Sequence, residues 1–305
     1  MKVIGAEEVA RRLTYEACIP LMREAMIALS EGRTKQLLRQ IIQLGEGNMF
    51  GVMPGSMDGG PFGAKLISIF PANLAAGGLS HQGAVLLFDP DNGAPAAVID
   101  AGELTAIRTA SASAAATDAL ARPDATRLAI LGTGEQARRH VEAIRLVRPI
   151  ESVTLWGRDP AKAATLAAEL GAVPAPTAAE AVAEADIICT TTGAAEPILF
   201  AADVPDGAHL NLVGSSRAGP AEVDNALVAR VRLIADHRDG VLVQGAEFLN
   251  AKAAGLVDDA HVVGEIGEIF AGTLPGRQSA DQVTAYKSLG SIVQDLAAAA
   301  FLLET

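Results

Sequence analysis

Three cations, Arg39, Lys65 and Arg108, stand in apolar company with no acid beside them in sequence. Lys65 sits inside "FGAKLISIF", residues 62–70, which reads as a buried β-strand. By the two-residue period it shares a face with Ile67 and Ile69, while Ala64, Leu66, Ser68 and Phe70 take the other. A buried ammonium without a partner costs several kcal/mol, so something must meet it. A salt bridge within the fold, an edge position that reaches water, or an anionic ligand would each serve. Arg39 interrupts "LLRQIIQL", and Arg108 is the only charge between Glu103 and Asp118. Arginine suits bidentate recognition of a planar carboxylate, which makes the trio a candidate carboxylate-binding set. The alternative is three unrelated structural charges with acidic partners far away in sequence, and spacing alone leaves both readings open.

A second constellation lies in "RLAILGTGEQARRHVEAIRLV". An apolar strand, 127–131, runs into Gly132-Thr133-Gly134-Glu135-Gln136-Ala137, followed at once by a helical pattern. In such a G-x-G-x-x-A turn the first glycine allows the tight bend and the second lets backbone approach a pyrophosphate. The alanine keeps helix and strand close, and the helix N-terminus offers N–H groups and positive dipole to the anion. Thr190 and Thr191, ending strand 186–191, and Val213, Gly214 and Ser215, ending the next, are further cofactor-binding candidates. Sites for NAD place Asp or Glu at the end of the second strand, whereas this chain has Trp156-Gly157-Arg158-Asp159 there. Arg158 can bond a 2′-phosphate, which favours NADP(H) over NAD(H), and Asp159 can cap the helix that starts at Pro160.

The elements that must hold these residues follow from the pattern. Strands at 127–131, 152–156, 186–191, 208–214 and 231–236 alternate with helices, which implies an α/β, doubly wound parallel sheet of the Rossmann type. Residues 1–117 instead combine a helical stretch, strands and turns, an α+β pattern. The final segment, "DQVTAYKSLGSIVQDLAAAAFLLE", carries an apolar stripe at helical spacing. The expected organisation is therefore 118–279 as dinucleotide-binding domain, with 1–117 and 280–305 forming a second, α+β domain.

Composition bounds the function. The 305 residues are half hydrophobic and carry a net charge of −12, which supports a sizeable core and disfavours a general nucleic-acid binder. The two cysteines, Cys18 and Cys189, form no disulfide framework and suggest a reducing compartment. The N-terminus lacks the apolar run of a signal peptide, and "LAAAAFLL" is too short to span a bilayer. A soluble cytoplasmic protein with no membrane partner is expected. The five histidines show no paired metal-ligand spacing, so no metal site is expected.

Taken together, "GAKLISIFPAN", "GAVLLFDPDNGAP", "LTAIRTASASAAATDALA", "LGTGEQA", "VGSSRAGPAEVD" and "VTAYKSLG" resemble, in order, the ornithine cyclodeaminase/mu-crystallin family. The resemblance implies that Arg39, Lys65 and Arg108 bind a substrate carboxylate beside the nicotinamide, and that Lys65 can polarise or protonate the reacting C=N or C=O group. It also implies a homodimer formed through the first domain. True ornithine cyclodeaminases resemble G-G-D-C-P-G-K where this chain has Gly214-Ser215-Ser216-Arg217-Ala218-Gly219-Pro220. Ser216 stands in place of the aspartate and cannot act as a carboxylate base or hold a second ammonium group. The stretch is closer to the G-A-S-R-P pattern of the ketimine reductases, although the proline after Arg217 is missing.

The expectation is an NAD(P)H-dependent oxidoreductase acting on the C–N bond of a small α-imino or α-amino acid, with Lys65, Arg108 and Ser216 as the catalytic candidates. A lyase that turns ornithine into proline with internally recycled NAD is the alternative within the family. A non-catalytic dinucleotide-binding protein is the alternative outside enzymes.

Overall fold

In the computed structural model, which describes residues 1–304, the N-terminal stretch forms β1 (Lys2–Ile4), α1 (Ala6–Arg12) and α2 (Tyr15–Ser30). Thr14 caps α2 by accepting the Ala17 N–H at 3.4 Å. Cys18, Ile19, Met22, Ala25, Met26 and Leu29 then recur at three- and four-residue spacing and are buried as one stripe. Six strands follow: β2 (Thr34–Gln36), β3 (Gln40–Gly45), β4 (Asn48–Met57), β5 (Phe62–Ile69), β6 (His81–Phe88) and β7 (Pro95–Asp100). They join β1 in a seven-stranded sheet of order β1-β7-β6-β5-β4-β2, with β3 also on β4. All pairings are antiparallel except β1 with β7.

The two-residue period divides this sheet sharply. Met49, Met53, Lys65, Val85, Leu87 and Ile99 are buried on one face. The other carries Gln40, Val52, Leu66 and Ala84 in one cross-strand row and Ile42, Phe50, Ser68 and Gln82 in the next. There Ile42 and Leu66 stay exposed and Phe50 and Val52 only half-buried. The segment around Arg39, which looks apolar in sequence, contributes Leu37, Ile42 and Leu44 to the exterior.

Helix α3 (Ala101–Leu120) begins in this first unit, and its residues from Thr109 belong to the second, Thr109–Gly290. Along the second unit come β8 (Arg127–Leu131), α4 (Glu135–Ile144), β9 (Ser152–Trp156), α5 (Pro160–Leu170), β10 (Val173–Pro174), α6 (Ala178–Val182) and β11 (Ile187–Thr190). Then follow β12 (His209–Leu212), α7 (Asn225–Arg230), β13 (Arg232–Ala235), α8 (Arg238–Gln244), α9 (Ala246–Ala253), β14 (Val262–Glu265), α10 (Ile266–Phe270) and β15 (Thr284–Lys287). The eight strands form one parallel sheet of order β10-β9-β8-β11-β12-β15-β13-β14, doubly wound as expected. The strand order reverses between β8 and β11, where such sheets open a ligand crevice at their carboxyl ends.

The chain then returns to the first unit as α11 (Ile292–Glu304), which packs on α2 and on β4, β5 and β6. The junctions therefore fall at 108/109 and 290/291, not at 117/118 and 279/280. The first shifts because α3 runs unbroken through the expected boundary. The second shifts because "TAYK" is not helical: it is a fully buried strand between β12 and β13. A four-residue strand buried on both faces has no polar–apolar alternation to announce it. Thr305, the last residue of that expected segment, lies outside the described residues.

Candidate active site: a cation cluster and a dinucleotide turn

Lys65 points from the covered face of β5 and is only 2 % exposed. Its Nζ donates to Asp295 Oδ1 of α11 at 3.0 Å and to Thr105 Oγ1 of α3 at 2.6 Å. Arg108, one turn further along α3, donates from Nε to the same Asp295 oxygen at 3.0 Å and from Nη1 to Gln294 Oε1 at 2.8 Å. Arg39 is half-buried and directs Nε at Met53 Sδ, 3.4 Å away, and Met53 lies directly opposite Lys65 in the β4–β5 register. The three cations of the sequence thus come together within the first unit, two of them on one carboxylate.

Lys65 and Arg108 share one Asp295 oxygen, and the charge of Arg39 also reaches Lys65. The electrostatics follow from that. Burial pushes the Lys65 ammonium down to about 8; Asp295 pulls it back up, while Arg108 and Arg39 push it further down. Asp295 is fully buried, yet Arg108 and Lys65 hold its carboxyl below the usual range. Burial and the charges of Lys65 and Arg39 likewise lower the His81 imidazole on β6. An ammonium that titrates near neutrality and two guanidinium groups are well suited to a carboxylate bearing a basic nitrogen.

In the second unit the turn after β8 has the geometry its residues imply. Gly132 adopts φ +141°, and a Cβ there would lie 2.5 Å from Thr191 Oγ1 at the end of β11, so only glycine fits. Gly134 begins α4 without a side-chain cap and faces open space. Ala137 is completely buried at the helix–sheet contact. Thr133 and Gln136 are half-buried, whereas exposed Glu135 is tied to Arg139 Nε at 2.6 Å. The uncapped first turn of α4 leaves N–H groups for an anion, so this turn fits the pyrophosphate of a dinucleotide. Arg158 is exposed just past β9, and Asp159 caps α5 by accepting the Ala161 and Lys162 N–H groups at 3.0 and 3.2 Å.

The remaining candidates fall around one buried carboxylate, Glu222. Glu222 looks like support for the following helix, but Asp224 alone caps α7, accepting the Leu227 N–H at 3.0 Å. Glu222 instead is fully buried and collects four donors. Thr190 Oγ1 donates at 2.7 Å, Thr192 N at 2.6 Å, Thr192 Oγ1 at 2.7 Å and Gly214 N at 2.8 Å. Burial raises its carboxyl above the ordinary value, and the threonine bonds work against that rise. Thr190 thereby spends its hydroxyl inside the fold, and Thr191 packs on Gly132. Ser215 bonds back to its own loop at the carbonyls of Arg217 and Pro220. Lys287 Nζ holds the Ser215 carbonyl at 2.6 Å and pairs with Glu247 at 2.8 Å. Val213 and Ser216 are half-buried and Gly214 is exposed on the same loop. No group of His, Cys, Asp or Glu among the described residues could hold a metal ion. The histidines are structural or peripheral: His140 bonds Ser113 and the Gln136 carbonyl, and His209 bonds Thr284.

The chain belongs to the ornithine cyclodeaminase/mu-crystallin family, whose model matches residues 2–305. It is 35 % identical over 310 residues to the ketimine reductase mu-crystallin of Mus musculus, covering 99 % of this chain and 96 % of that protein. It is 34 % identical over 313 residues to the Δ1-pyrroline-2-carboxylate reductase of Bacillus cereus, covering 100 % and 96 %. The structure of Δ1-pyrroline-2-carboxylate reductase from Thermococcus litoralis, in complex with NADH and L-proline, superimposes with a TM-score of 0.95 at 29 % identity, covering 100 % of this chain and 97 % of the other. These relatives are imine reductases. No helix among the described residues is long and apolar enough to cross a membrane.

Asp295, Thr105 and Gln294 escaped the sequence reading. Asp295 is the only acid before the last residue of an alanine-rich helix, 230 positions from Lys65. The one available signal was a carboxylate on the otherwise apolar stripe of α11.

Proposed function

We propose that this protein is an NAD(P)H-dependent reductase of small α-imino acids, the class to which Δ1-pyrroline-2-carboxylate belongs. The observation that carries the reading is the gathering of Arg39, Lys65 and Arg108 in the first unit, with Lys65 and Arg108 both held on the buried Asp295. A bound nicotinamide dinucleotide would supply hydride to the imine carbon. Arg108 and Arg39 bind and orient the substrate carboxylate, and the Lys65 ammonium gives a proton to the imine nitrogen as its C=N bond becomes CH–NH. The neutral Lys65 amine then regains its proton from solvent. Arg158 selects the 2′-phosphate of NADPH.

The open sheet face with Ile42, Leu44 and Leu66 supports closed association with a second copy. Ser216 stands where a cyclodeaminase would need a carboxylate, which argues against ammonia release from ornithine.

Purified protein should oxidise NADPH with Δ1-pyrroline-2-carboxylate in steady state and release no ammonia from ornithine with catalytic NAD. Stoichiometric proline and ammonia from ornithine would overturn the reading in favour of the lyase. Dinucleotide binding without turnover across a panel of cyclic and linear imino acids would leave only a binding protein.

A further inference from the structure

From this geometry we infer that Asp295 is a positioning residue for the reduction, setting both the place and the charge of Lys65 from the far end of the chain. The inference rests on the proposed imine-reductase reading for its kinetic consequence. Its electrostatic content stands by itself.

Asp295 accepts Lys65 and Arg108 on one oxygen, each at 3.0 Å, and is completely buried. Its Oδ2 is also buried and takes no hydrogen bond from the described residues. The carboxylate is therefore not dispersed over a wide network, and its charge acts on these two cations. The charged and titratable groups that face Lys65 are Asp295 from α11, Arg108 from α3, Arg39 from the segment before β3 and His81 from β6. Asp295 is the only one that favours the ammonium form. Without it, Lys65 would stand buried against two guanidinium groups, and of the three cations the lysine gives up its proton most easily. Loss of that proton removes the acid that the imine nitrogen needs. A purely structural Asp295 would tie α11 to the sheet and leave the titration of Lys65 alone.

The test compares native protein with Asp295→Asn by two readouts. Lys65 is titrated without substrate, from the pH dependence of its modification by an amine-reactive anhydride followed by mass spectrometry. The pH profile of kcat/KM for Δ1-pyrroline-2-carboxylate is measured alongside. Asp295→Asn should move the Lys65 titration and the basic limb of the profile down together by about one pH unit or more. Above the new limb the loss should be about tenfold per unit, with partial recovery at lower pH. Asp295→Glu should restore both toward native. An unmoved Lys65 titration in Asp295→Asn, with activity lowered equally at every pH, overturns the inference. A lowered Lys65 titration in a protein that reduces no imine refutes the proposed function and leaves the ion-pair role standing. If Asp295→Asn does not fold, the carboxyl carbon resonance of Asp295 in the native protein decides. It should step where Lys65 loses its proton, and a flat trace through that range overturns the inference.

Discussion

Gly157 lies hard against Thr133: a Cβ on the glycine would come within 2.3 Å of Thr133 Cγ2. A side chain at this position at the end of β9, where a carboxylate would read an unphosphorylated ribose, would thus force the Thr133 side chain to move. On the proposed reading, discrimination passes to exposed Arg158 next to it. Arg158→Ala should raise KM for NADPH by roughly tenfold or more and leave KM for NADH within about twofold. Equal effects on both cofactors would remove Arg158 from cofactor selection.

Arg108 belongs to the first unit and the dinucleotide turn to the second. Arg108→Ala should therefore lower kcat/KM by about 10²–10³, the loss of a charge-assisted carboxylate contact worth ~2–5 kcal/mol. NADPH affinity, followed by fluorescence titration, should change by less than about threefold. A parallel loss of both would mark Arg108 as structural.

The buried imidazole of His140 predicts an acid sensitivity. Burial pushes it down to about 4, although its bond to the Gln136 carbonyl works the other way. In the unfolded chain it returns to its ordinary value near 6.5. Between those values the unfolded state binds more protons, so stability falls as pH drops from about 6.5 to about 4. His209, pushed down to about 3, acts in the same direction, while the raised Glu222 and Asp236 carboxyls act in the opposite one. Comparing native protein with His140→Asn isolates one group. The variant should lose roughly 3 kcal/mol less between those pH limits in urea unfolding.

The open face of the first sheet predicts a homodimer in solution. Light scattering at micromolar concentration should give twice the chain mass. Ile42→Lys combined with Leu66→Glu, on adjacent cross-strand rows, should shift the mass toward monomer with little loss in secondary structure. A native monomer would refute the assembly.

How far the sequence exposes this architecture depends on the range of the interaction. The turn at Gly132 is legible because local backbone conformation demands it, and α5 because Asp159, Pro160 and Gly171 mark its two ends. The Gly171 cap indeed adopts φ +63°. Strand β15 is not legible, since "TAYK" is buried on all sides and its neighbours, β12 and β13, were formed many residues earlier. The same holds for chemistry. Arg39, Lys65 and Arg108 announce themselves as misfits in apolar surroundings. Their shared acid does not, because a salt bridge across 230 positions leaves no spacing to read. Glu222 is hidden for a related reason: it stands two residues before a helix cap, and its four donors come from the ends of other strands.

The return of α11 to the first unit also sets an order of events on the ribosome. Lys65 and Arg108 are synthesised early, and Asp295 follows them by 230 and 187 positions. Between them the entire second unit emerges as one uninterrupted segment, with every strand of its sheet present before α11 exists. The nascent first unit must wait through that interval with Lys65 and Arg108 lacking Asp295 and its helix-covered face bare. Helix α11, translated after the second unit, closes it, so the unit begun before the other is completed after it.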